Sequence, residues 1–387
     1  FSQRDIAMIY RISLYATCLL LFMLAGGCGA SDAPEATHTT EERNGTTVVT
    51  NTDAPVWEGL DAAPIRLEQT QTYGAAEEPE EAMLAGVRSA AVDDDGVLYV
   101  LDRNNHRIVA FNPDGSIRWT AGREGQGPGE FQEMINATLD GTGQLWLIGQ
   151  RQKLDVWDTN DGSFINRHDL SGLGLAIWSL IGADAARLVL TGVDMGTGAT
   201  NVLVLDAETL EEQHRFEVDL IMNFPLEYFP HMQATYRDGH IYTSAYDTYR
   251  LQQYTPDGTL VREITQPDVE NLIGMAQQRV DAGVRFMIYS ALSVPYTLPE
   301  NNLSLVWSFG PTNLRDSQAD VEHDDVTYQS AMDVYTTDDV LQGRVVWNDT
   351  RQSPTGRPLA VGPDGALYTA SDTPFPQVRR YDVSLAN

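Results

Sequence analysis

The chain has 387 residues, 42% of them hydrophobic and 9% aromatic, which is enough to bury one large core or two ordinary ones and argues against a disordered polymer. Its net charge of -30 at pH 7 argues against nucleic acid as a partner, because such a binder neutralises phosphates with Lys and Arg. The same charge disfavours adsorption to an anionic bilayer surface, and Lys153 is the only lysine among 25 cationic residues. An acidic, lysine-poor balance fits a salt-adapted surface or an arginine-rich codon bias.

The N-terminus carries an address. Ile12 to Gly27 is a mainly apolar run with Arg11 ahead of it and small residues at its end, the layout of a signal peptide and too short to span a membrane comfortably. The "LAGGC" of Leu24 to Cys28 resembles the lipobox of bacterial lipoproteins. That resemblance implies cleavage after residue 27 and acylation of Cys28, which then anchors the chain outside the cytoplasm. Gly29, rather than Asp, is compatible with an outer-membrane or cell-surface destination. A start at Met8 would give a tidier leader than Phe1. Once Cys18 is removed with the leader and Cys28 is lipidated, no thiol is left for disulfides or catalysis.

Residues 28–56 are polar and rich in small side chains, and are expected to form a flexible tether to a domain spanning 57–387. In that domain Asp94 to Arg118 aligns without a gap on Arg237 to Val261. Gly96 falls on Gly239, Tyr99 on Tyr242 and the "PDG" turn at Pro113 on the one at Pro256. Further copies begin near Gly141, Ala186 and Ala360. Each reads strand, Gly turn, strand, loop, strand, Asp/Gly turn, strand, the pattern of a four-stranded antiparallel propeller blade.

Residues 268–289 read as a helical insertion. After them "ALSVPYT", "LSLVWSFG", "SAMDVYTT" and "GRVVWN" assemble into one more blade. The fold class is therefore all-β, a propeller of six blades, with seven as the alternative count. The last copy ends at Asp382 after three strands, and "IRLEQTQTYG" from Ile65 supplies the fourth, so the two ends of the chain close the ring.

The stretch "GREGQGPGEF", Gly122 to Phe131, has the glycines of a phosphate-binding loop without the Lys and Ser/Thr that would reach phosphate and magnesium. Together with "LYVLDRNNHRIVAFNPDGSIRWTA" ahead of it, it resembles an NHL-type repeat of six-bladed bacterial propeller lipoproteins. The resemblance implies that this stretch leads from the outer strand of one blade to the inner strand of the next, with Phe131 as a plug between blades. Asp102 and Arg107 are expected to form a structural ion pair.

Candidate chemistry is sparse. Where inner strands begin, the repeat alignment places Arg88, Asn136, Trp178, His231 and Arg357, a set able to hold an anionic or sugar-like ligand or simply to satisfy strand ends. Glu322, His323, Asp324 and Asp325 form the densest group of metal-ligand types, with calcium the ion they would suit. No cofactor fingerprint and no nucleophile motif is present. The expected function is a lipid-anchored binding or scaffolding module for a protein, peptide or glycan. The alternative is a metal-dependent hydrolase or lyase, lactonase-like or amidating-lyase-like, with its site in the central channel.

Overall fold

The computed structural model describes residues 37–52, 56, 64–149, 152–218, 220, 233–245, 248–266, 277–281, 284–288, 291–298, 302–311, 328–348 and 355–385. At the N-terminal end lie β1 (His38–Arg43), β2 (Thr46–Asn51) and β3 (Ile65–Tyr73). The first blade is β4 (Val87–Val92), β5 (Leu98–Asp102), β6 (Arg107–Phe111) and β7 (Ile117–Ala121). The second is β8 (Met134–Leu139), β9 (Gln144–Gly149), β10 (Lys153–Asp158) and β11 (Phe164–Asp169). The third is β12 (Ala176–Ala183), β13 (Arg187–Val193), β14 (Thr200–Asp206) and β15 (Glu212–Glu217). The fourth is β16 (Ala234–Arg237), β17 (His240–Ser244), β18 (Arg250–Tyr254) and β19 (Leu260–Thr265).

A separate hairpin, β20 (Gln277–Asp281) and β21 (Val284–Ile288), precedes the fifth blade. That blade has a split inner strand, β22 (Ala291–Leu292) and β23 (Tyr296–Leu298), followed by β24 (Leu303–Pro311), β25 (Tyr328–Thr336) and β26 (Leu341–Asn348). The sixth blade is β27 (Arg357–Val361), β28 (Leu367–Ser371) and β29 (Gln377–Leu385), completed by β3. The described strands thus form a six-bladed propeller. The expected closure is present: β3 pairs antiparallel with β29 from Ile65 opposite Leu385 to Tyr73 opposite Val378.

The side-chain pattern follows from the ring. In β5 every residue is buried, because Leu98 and Val100 pack toward the sixth blade while Tyr99 and Leu101 pack toward the second. A continuous apolar run is what a strand with two covered faces requires. The outer strand β7 is half solvated and β15 is almost wholly so, and both read as mixed polar sequence. Six apolar clusters result among the described residues, one at each blade interface.

Two expectations are corrected. The stretch 268–289 contains the β20–β21 hairpin where a helix was expected. Its "QQRVD" and "VRFMI" place β-branched and aromatic residues at strand spacing. Residues 38–51 are not part of a tether but a hairpin, with β2 running parallel to β19 on the outer edge of blade four. Val48 and Val49 are both buried, and the buried Asn51 donates from Nδ2 to the Asp339 carbonyl (3.0 Å) and accepts from the Leu341 amide (2.8 Å). A composition dominated by Thr and acidic residues hid a β-branched "TTVVT" core.

"GREGQGPGEF" is a structural corner, as expected. Arg167 donates to the carbonyls of Gln126 (3.1 Å), Gly127 (2.9 Å) and Glu130 (2.9 Å), and the Glu130 carboxylate accepts from the Gly127 amide (2.9 Å). Phe131 is buried against Trp157, ring centroids 5.5 Å apart, in the cluster between blades one and two. Asp102 and Arg107 are paired at 3.0 Å; the carboxylate also accepts the Ala85 and Gly86 amides, and Arg107 donates to the Met83 carbonyl.

At the outer rim Trp119 of blade one covers the Asp-Gly turn of blade two. Its Nε1 donates to the Thr159 carbonyl (3.0 Å), and a Cβ added to Gly162 would lie 2.6 Å from the indole. Gly162 and Gly141 have nearly the same left-handed φ, +73° and +74°, but Gly141 has no neighbour within 4 Å. Gly141→Ala should therefore cost only the left-handed penalty, about 1–2 kcal/mol. Gly162→Ala should exceed it by about 1–3 kcal/mol of overpacking, measured by urea unfolding of the two variants. Equal losses would show that Trp119 does not press on the turn.

Candidate functional site

The six inner strands enclose a central channel, a cavity of about 1010 Å³. Each blade contributes to its wall, for example Ser89, Asn136, Leu180, Thr235, Tyr296 and Arg357. An inner strand is bonded to its own blade along one edge only. The backbone groups on its other edge face the axis and the next inner strand, and need acceptors and donors from elsewhere.

Side chains supply them around the whole circle. Arg88 Nε donates to the Ile135 carbonyl (3.2 Å), joining blades one and two. The buried Asn136 joins two and three, accepting from the Leu180 amide (3.0 Å) and donating to the Leu180 carbonyl. Thr235 Oγ1 donates to the Ile181 carbonyl (3.4 Å) between three and four, and Arg237 Nη2 to Thr297 Oγ1 (2.7 Å) between four and five. Tyr296 Oη reaches the Pro358 carbonyl (3.5 Å) between five and six. Arg357 Nη2 closes the circle on the carbonyls of Val87 (2.9 Å) and Arg88 (3.3 Å).

Arg88, Asn136 and Arg357, singled out from the repeat as channel residues, are thus held by blade-to-blade bonds. Trp178 is half-buried against the cluster between blades three and four. His231 and the group Glu322, His323, Asp324 and Asp325 lie outside the described residues, as does Cys28. Thr235, Arg237, Tyr296 and Thr297 were not anticipated. The signal for Arg237 was available once strand pairing is known. Tyr236 pairs with Ile241 as Val92 does with Leu98, Leu139 with Leu145 and Ala183 with Leu188, so Arg237 stands where blades one to three carry Asp93, Asp140 and Asp184.

Electrostatics sharpen the picture. Burial pulls the Arg237 and Arg357 guanidinium pKa values below the ordinary arginine value. The Tyr296 hydroxyl is pushed up to about 12, burial outweighing the lowering by these two arginines. At the mouth where inner strands end, Asp93, Asp140 and Asp184 are spent on their own turns. Asp93 accepts from the Val97 amide (2.8 Å) and the Tyr99 hydroxyl (2.7 Å), and Asp140 from the Thr142 amide (2.8 Å) and Trp146 Nε1 (3.2 Å). Asp184 accepts from the Ala186 and Arg187 amides, each at 2.8 Å. Among the described residues no group of three or more His, Cys, Asp or Glu side chains is placed to hold a metal ion.

The two mouths differ. Where inner strands end, the connections are short turns such as 93–97, 140–143 and 238–239. Where they begin, the meander also returns every outer-to-inner connection and every connection between second and third strands. Among the described residues that face carries the long connections 74–86 and 122–133.

A family described as a 6-bladed beta-propeller matches residues 78–180, about a quarter of the chain. The NHL repeat-containing protein 3 of Mus musculus is 34% identical over 82 residues, covering 20% of this chain and 24% of that protein. Its Homo sapiens counterpart is 31% identical over 78 residues, covering 19% and 22%. The chain therefore spans about a quarter of the length of these relatives. Among solved structures, a member of the DUF4221 family from Bacteroides vulgatus superposes with a TM-score of 0.53 at 10% identity, over 83% of this chain and 99% of that one. A Bacteroides fragilis protein gives 0.52 at 9%, over 88% and 100%. At such identities these two structures show the fold alone.

If the inner circle of bonds holds the blades together, Asn136→Ala leaves a buried amide and carbonyl of Leu180 unpaired. It should lower stability by about 2–4 kcal/mol, seen as a lower urea midpoint. An unchanged midpoint would mean that the channel wall does not depend on it.

Proposed function

We propose that the chain is a binding or scaffolding module, a rigid ring held outside the cytoplasm by a lipid on Cys28. It presents the face on which inner strands begin to a protein, peptide or glycan partner. The observation that carries this reading is the unequal distribution of the described connections: the long ones, 74–86 and 122–133, lie on the face where inner strands begin, and the described connections at the other face are short turns. Loops set on a rigid scaffold are where recognition residues concentrate. The propeller fold and the NHL-like repeats support a binding module and name no reaction.

The leader supports the anchor. Only nine residues, 29–37, separate Cys28 from β1, a reach of at most about 32 Å at full extension. In a bacterial host the full chain should incorporate labelled fatty acid and fractionate with membranes, and Cys28→Ser should lose the label and leave the membrane fraction. A Cys28→Ser chain that stays lipidated would overturn the anchor.

The binding reading is separated from the metal-dependent hydrolase or lyase by melting the protein in EDTA and then with calcium, zinc or magnesium. A ligand of the native state raises the midpoint. The expected result is the same midpoint with each ion beyond general charge screening. A rise specific to calcium or zinc would move the enzyme reading ahead.

A further inference from the structure

Arg237 is anomalous in its own protein. It stands at the end of the inner strand of blade four, one residue beyond Tyr236, at the place where blades one, two and three carry Asp93, Asp140 and Asp184. Its Nη2 donates to Thr297 Oγ1 (2.7 Å), and its guanidinium carbon lies 4.6 Å from the centre of the Tyr242 ring. Its Nε is sealed from solvent with no hydrogen-bond partner among the described residues. No described carboxylate lies within ion-pair distance of it, although the chain carries 55 acidic residues. Removing a cation from water without a counter-charge is expensive, and in a protein of net charge -30 a carboxylate partner was readily available.

The side chain opens on a second cavity, of about 250 Å³, between blades four and five. Its lining includes Tyr242, Gln253, Arg262, Thr297, Ser304 and Asp339 together with Arg237. Asp339 is already neutralised: Arg262 Nε is paired with its carboxylate, and Arg262 Nη2 donates to the Asp338 carbonyl (3.0 Å). Among the described lining residues two guanidiniums stand with one carboxylate, which Arg262 takes, so Arg237 is left without an ion-pair partner there and Asp238 acts on it only through space.

We infer that this inter-blade pocket is a binding site for a compact oxyanion, of carboxylate or phosphate type, with the Arg237 guanidinium as its principal contact. A planar fork of N–H donors matches both groups. The volume lies below the roughly 300–1,000 Å³ of pockets that enclose drug-sized ligands, so the occupant is a small anion or the acidic tip of a larger one. The depression of the Arg237 pKa by burial agrees, because an anion would restore what desolvation removes. The inference does not depend on the lipid anchor or on what the loop-bearing face binds.

The test uses the purified full chain, melted in sodium acetate, sodium phosphate or sodium chloride at matched ionic strength. The wild type should melt about 2 °C or more higher in acetate or phosphate than in chloride, the larger rise identifying the preferred class. Arg237→Met should melt close to the wild type in chloride, the lost bond to Thr297 being offset by replacing a partly buried cation that has no carboxylate partner with an apolar side chain of similar length, and should lose the anion-specific rise. Arg237→Lys, which keeps the charge but not the fork, should retain less than half of it. General salt exclusion from the surface would raise all three proteins alike. A wild type with no rise over chloride, or an Arg237→Met protein that rises as much as wild type, would overturn the site. So would an Arg237→Met protein that melts well below wild type in chloride, which would make Arg237 a structural cation.

Discussion

Six inner strands each have one edge that no strand of their own blade can satisfy, and the architecture turns on how those edges are served. A strand edge left unpaired in a dry interior carries a row of desolvated amides and carbonyls. Here a polar or aromatic side chain crosses each of the six interfaces near the axis to meet a group on the neighbouring inner strand. Asn136 does this with both ends of its amide, acting as a detached rung of a β-ladder. The channel wall is polar because it is stitched, and the polarity alone is no sign of a ligand.

The same edge problem recurs at the outside and at the ends of the chain. In the sixth blade it is met by β3, which comes from 300 residues earlier in the sequence and pairs with β29 over its whole length. In the fourth blade β2 covers β19, and Asn51 bridges from β2 to the turn region of blade five, repeating with a second buried asparagine the device that Asn136 uses at the axis. Closing a ring with a strand from the other terminus makes the blades interdependent. Opening any one interface exposes apolar clusters on two blades.

Much of this was legible in the sequence, and the reasons are specific. The "PDG" turns and the runs "LYVL" and "RIVAF" repeat because every blade solves the same packing problem, with alternate residues sent to two neighbours, so spacing and fold class were readable together. The closing strand was readable because one copy was a strand short. The β1–β2 hairpin was missed because its composition is that of a linker and its partner strand lies more than 200 residues away. The hairpin in 277–288 was missed because "MAQQRV" satisfies helix propensity, which is a weak prior against tertiary context. The repeat put Arg88, Asn136 and Arg357 on the inner strands, but no sequence pattern says that their polar atoms face a neighbouring backbone. Arg237 escaped because its oddness appears only when strand pairs are compared between blades.

The central claim is that the chain forms one closed ring whose blades stand or fall together, β3 included. Amide hydrogen exchange followed by mass spectrometry measures this directly, since protection reports the free energy of each opening. Peptides covering residues 65–73 should exchange together with those covering 377–385 and the inner strands, on the timescale of global unfolding. Exchange of 65–73 orders of magnitude faster than 377–385 and the inner strands would mean that β3 frays from a ring that holds without it, and would contradict the account.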